Sequence, residues 1–104
     1  MYELRFSDTA KGIIETLASG KKKDPKRVKK VRNTLERISQ DPNYPGLKSH
    51  VYHDTEKKYS DGKEKIFTSY VENGTPGAWR ILWKYGPNEG EIEIITILWL
   101  GSHY

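Results

Sequence analysis

Arg80, His103 and Tyr104 have side chains suited to handling a phosphodiester. Arg80 sits mid-run between Trp79 and Ile81, where a guanidinium is costly without a partner. Its planar fork matches phosphate oxygens, so a phosphate clamp is one reading. An ion pair with Glu72 or Glu93 across a sheet is the other. An imidazole such as His103 can protonate a leaving group near neutral pH, since its ordinary pKa is about 6.5. A phenol such as Tyr104 can stack on a base or hydrogen-bond a phosphate. A frayed polar end is the plain alternative for both.

Other chemistries find less support. The sequence has 0 Cys, which removes thiolate nucleophiles, disulfide scaffolds and Cys zinc sites. His50 and His53 stand three apart without a third ligand, so no metal site is expected. His50 remains a candidate for acid–base work. There is no P-loop, dinucleotide fingerprint or Ser-His-Asp pattern, and no cofactor is expected. Tyr52, Tyr59 and Tyr70 interleave with Lys48, Lys57, Lys58 and Lys65. That mix suits single-stranded RNA and is also ordinary loop composition.

The elements that must position these residues can be read in order. Residues 2–6 alternate, with Tyr2, Leu4 and Phe6 on one side and Glu3 and Arg5 on the other, a half-buried strand. Ser7, Asp8 and Thr9 offer helix caps, and Ala10, Ile13, Ile14 and Leu17 share a helical face that ends at Gly20. Asp24 and Pro25 open a second helix, striped by Val28, Val31, Leu35 and Ile38 and stopped at Asp41-Pro42. Residues 8–40 thus read as a helical hairpin with a basic outer surface. Residues 47–52 offer a short extended piece, and residues 54–65 a long exposed loop. Strands are expected over residues 66–71, 78–85 and 91–100, joined by turns rich in Gly and Pro. Residues 94–100 are apolar on both faces, as in a covered central strand. The helices would seat on Trp79, Ile81, Trp83 and Tyr85. Arg80 and Lys84 would line the uncovered face. Alternation would put His103 on one face with Ile95, Ile97, Trp99 and Gly101.

Charge is concentrated. Lys plus Arg number 18 against 14 Asp plus Glu, a net +4. Residues 21–40 hold nine cations and two acids, hence +7, which leaves −3 elsewhere. Such a segment attracts phosphate backbones or an acidic protein, or is simply a solvated helix face. No apolar run approaches the ~20 residues of a membrane span, and no signal peptide is recognisable. A single soluble cytoplasmic domain over residues 1–104 is expected.

The order strand, helical hairpin, three strands resembles the RelE/ParE toxin superfamily of bacterial toxin–antitoxin systems. The resemblance is carried by residues 2–7 with the following helix, by Ala78-Trp79-Arg80-Ile81-Leu82-Trp83, and by the final His103-Tyr104, similar to the YoeB branch. Residues 43–64 match it least. It implies an α+β fold, with an N-terminal strand, a helical hairpin and antiparallel strands forming one sheet with helices on one face. It implies a ribosome-dependent endoribonuclease in which the messenger RNA's own 2′-hydroxyl attacks the phosphate without a metal. Arg80 would stabilise the transition state, His103 would protonate the leaving oxygen, and Tyr104 would hold the RNA. No Glu of this chain matches the YoeB general base; Glu64, Glu72 and His50 are the options, in that order. Lys63 and Lys65 could take the Lys role of the RelE branch, with Lys48 and Lys84 as further RNA contacts. A cognate antitoxin is the implied partner. Inhibition of DNA gyrase by protein contact, as in ParE-type members, and a non-catalytic binding module are the alternatives.

Overall fold

Local signals set the ends of both helices. Asp8–Ser19 (α1) is capped by the Ser7 side chain, which accepts from the Ala10 N–H, and it ends at Gly20. Pro25–Gln40 (α2) is capped by Asp24, which accepts from the Arg27 N–H, with Pro25 in the first turn. Before them runs β1 (Glu3–Phe6). After them come a 3₁₀ turn (Pro45–Leu47), β2 (His50–Tyr52), β3 (Ile66–Tyr70), β4 (Arg80–Tyr85) and β5 (Ile94–Gly101). This computed structural model describes residues 1–54, 58–59 and 63–102. His103, Tyr104 and Lys57 lie outside the described residues.

One five-stranded sheet has the order β1-β5-β4-β3-β2. Strands β2 to β5 pair antiparallel, as expected, and β1 joins β5 in parallel. The piece expected over residues 47–52 divides into the 3₁₀ turn and β2, because Lys48 turns the chain between them at φ 51°.

The helices pack Ala10, Leu17, Val31 and Ile38 onto Ile81, Trp83, Ile95, Ile97 and Leu100. Trp83 is 1% exposed and stacks on Phe67 at 4.8 Å. Its indole N–H donates to Ser69 Oγ at 2.8 Å. Ser49 Oγ donates to the Pro42 carbonyl at 3.0 Å, so Ser69 must donate to Ser49 Oγ, 2.6 Å away. This chain of hydrogen bonds satisfies the buried hydroxyl of Ser69 and ties the approach to β2 to the centre of the sheet.

Two expectations need correction. The face away from the helices is not bare: Ile66, Leu82 and Leu98 form a second apolar cluster there, with Tyr52, Tyr59 and Trp99 packed against it. The segment before β3 contributes Tyr59, whose N–H is held by the Asp54 carboxylate at 2.9 Å. The alternation along β5 also breaks. Leu82 pairs with Trp99 but Trp83 pairs with Ile97, so Leu98 is an extra residue. Such a bulge reverses the phase of everything beyond it. Trp99 therefore lies with Leu82, not with Ile95 and Ile97.

Replacing Ser69 by Ala should strand the Trp83 indole N–H and cost about 1–3 kcal/mol. Urea unfolding of Ser69→Ala against wild type measures it.

Candidate functional site

Arg80 opens β4, directly opposite Tyr70 on β3 and Gly101 on β5. Opposed residues share a face, so all three lie on the side away from the helices. The guanidinium carbon sits 4.8 Å from the centre of the Tyr70 ring, within cation–π range. Tyr70 in turn meets the His50 ring edge-on at 6.1 Å. His50 Nδ1 lies 2.9 Å from the Lys48 carbonyl. A carbonyl only accepts, so Nδ1 carries a proton there, and in the neutral ring the lone pair is on Nε2.

On the other side of Arg80, Trp99 folds toward Gly101. A Cβ at position 101 would fall 2.5 Å from the indole ring. Only glycine admits this close approach, and the ring lies where a side chain would otherwise stand. The result is a row across the sheet: indole over Gly101, then Arg80, Tyr70 and His50. The row combines a cation, two aromatic rings and an imidazole, the groups that bind a phosphate between bases and move a proton.

Glu64 is elsewhere. Its carboxylate lies 2.7 Å from Lys84 Nζ. Lys84 is four residues beyond Arg80 on the same face, roughly 13 Å along the strand. The first-choice base is therefore paired with one of the expected RNA contacts and is not in the row with Arg80. Lys63 and Lys65 are exposed beside Glu64, while Lys48 is exposed next to His50. Tyr70 and Trp99 were the least legible members of the row. The signal for Trp99 was a glycine two residues after a tryptophan.

No family model matches the sequence, and no curated protein matches it either. Among solved structures, YafQ from E. coli strain BL21(DE3) aligns with 97% of this chain and 92% of its own, at TM-score 0.54 and 18% identity. The chain has the fold of YafQ. The expected α+β architecture, with one sheet and a helical hairpin, holds at the level of the fold.

The helix side braces this YafQ-like sheet just ahead of Arg80. Glu72 Oε1 accepts from Arg27 at 3.0 Å and from the Trp79 N–H at 3.1 Å, and Oε2 accepts from Arg27 and Lys30, each at 3.3 Å. Arg27 also covers the Trp79 ring at 5.1 Å. These bonds turn the Glu72 carboxylate toward α2. Glu93 is beyond the far end of β4, whose Tyr85 pairs with Ile95. The ion pairs considered for Arg80 with Glu72 or Glu93 are thus replaced by an Arg27–Glu72 clamp. It also removes Glu72 as a general base.

Burial raises the Glu72 pKa, but hydrogen bonds from Arg27, the Trp79 N–H and Lys30 outweigh it, leaving the carboxyl below its ordinary value. A lowered folded pKa stabilises the fold above the unfolded value and loses that contribution as pH falls through the folded one. Glu72→Gln should therefore cost on the order of 1–2 kcal/mol at pH 7. The gap between variant and wild type should close as pH drops below about 4.5. Urea midpoints across that range check both the size and the sign.

Proposed function

We propose that the protein is the toxin of a toxin–antitoxin pair and cleaves messenger RNA on the ribosome. The observation that carries this is Arg80 flanked by aromatic rings, with the His50 imidazole in the same row, on a YafQ-like fold. In the proposed reaction His50 Nε2 takes the proton from a ribose 2′-hydroxyl. That oxygen bonds to the adjacent phosphorus, and the bond to the 5′ oxygen breaks. His103 supplies a proton to the departing oxygen, leaving a 2′,3′-cyclic phosphate. Arg80 offsets the charge that builds on the phosphoryl oxygens, where a fixed cation is worth most. Tyr104 holds the RNA, helped by Lys48 and, near Glu64, by Lys63, Lys65 and Lys84.

Placing His50 ahead of Glu64 and Glu72 as base rests on position. Glu64 is paired with Lys84, and Glu72 is turned toward α2.

The proposed partners are a cognate antitoxin, the ribosome and messenger RNA. The +7 of residues 21–40 favours an acidic partner. A groove on the helix side, with Ile13, Leu17 and Trp79 among its walls and Lys22 and Arg27 beside them, suits an apolar segment carrying acidic residues. Among the described residues no helix is long and apolar enough to cross a membrane. The proposed location is the cytoplasm.

Controlled expression of wild type, Arg80→Ala, His50→Ala and His103→Ala, with mapping of messenger RNA 5′ ends on ribosomes, tests the reading. Wild type should arrest growth and create new ends. Arg80→Ala and His50→Ala should each lower cleavage by about 100-fold or more. Growth arrest without new ends would move the target to a protein such as DNA gyrase. No arrest from any variant would leave a binding module.

A further inference from the structure

We infer that Trp99, seated over Gly101, is a stacking platform for one nucleobase beside the phosphate held at Arg80. This deepens the ribonuclease reading by adding a base subsite to its phosphate site. Three observations converge on it. The bulge at Leu98 turns Trp99 to the face of Arg80. Gly101, the direct cross-strand partner of Arg80, lacks a side chain, and the indole occupies that space. Directly opposed residues stand about 5 Å apart, so the ring edge is one residue's width from the Arg80 stem.

A nucleotide whose phosphate meets the guanidinium carries its base a comparable distance to one side. The indole is packed against Leu82 and Leu98, so it is held in place before any ligand arrives. A held ring stacks at lower entropic cost than a mobile one. On the other side of Arg80 the Tyr70 ring is engaged with the guanidinium and with His50. The place built for the indole over Gly101 assigns base stacking to Trp99, and the imidazole assigns proton handling to the His50 side. Stacking accepts any base, so the platform adds affinity with little sequence preference.

The experiment uses the full chain and a short 2′-O-methyl RNA, whose blocked 2′ oxygen prevents cleavage. Binding is read by fluorescence anisotropy, and a 2-aminopurine beside the central phosphate reports stacking. Wild type should quench the 2-aminopurine. Trp99→Leu keeps an apolar filler without a ring and should raise Kd by about 10-fold. Trp99→Phe should restore most of the affinity. Gly101→Ala, whose Cβ would displace the indole, should behave like Trp99→Leu. Unchanged Kd for a folded Trp99→Leu, or no quenching by wild type, overturns the platform. The quenching arm needs no variant, so its absence overturns the platform even if substitutions disturb folding, while Trp99→Leu assigns the quenching ring. Trp99-dependent binding together with absent ribosomal cleavage would keep the platform and reject the ribonuclease. Cleavage with Trp99-independent binding would do the reverse.

Discussion

One extra residue in β5 decides which side chains share a face with Arg80. Up to Ile97 the strand alternates normally, with Ile95 and Ile97 beneath the helices. Leu98 then has no partner of its own, and the register resumes with Trp99 opposite Leu82 and Gly101 opposite Arg80. Leu100 returns to the helix side, 2% exposed, and Trp99 turns to the other. In a side-chain period of two, a single inserted residue is enough to exchange the faces. Without it the tryptophan would have to enter a core already filled by Trp83.

The row that results is braced at two points from the helix side. At one, the Glu72 carboxylate binds Arg27, Lys30 and the Trp79 N–H, which fixes the chain one residue ahead of Arg80. At the other, the hydrogen bonds from Trp83 through Ser69 and Ser49 to Pro42 fix the chain one residue ahead of His50. Both braces bury polar groups and satisfy them, which makes them specific as well as stabilising. The candidate site therefore draws its geometry from the rigid side of the sheet. Groups that must handle a transition state gain most from such advance placement.

The two sides of the molecule present different chemistry. The helical hairpin presents most of the positive charge, although Arg27 is withdrawn from it by Glu72 and Trp79, and Arg37 lies over the Tyr44 ring at 4.0 Å. Its outer surface suits recognition at long range, where charge steers encounter. The opposite face mixes an apolar patch, aromatic rings and Arg80, which suits short-range contact with unpaired bases and a phosphate.

The helices, the order of elements along the chain and Arg80 as the cation worth following were all legible in local sequence. Caps at Ser7 and Asp24, the stripe through Val31 and Ile38, and the doubly apolar run of β5 are local or periodic signals that chain chemistry writes directly. What stands near Arg80 followed from contacts between distant parts of the chain. Pairing register moved Glu93 to the far end of β4, side-chain competition gave Glu72 to Arg27 and Glu64 to Lys84, and the bulge brought Trp99 across. The first three have no local signature, and the bulge leaves only a glycine two residues after the tryptophan. Each depends on residues far apart in the chain meeting at a particular step of the ladder, and the period-two pattern that reveals a strand carries no mark of where one residue will be skipped.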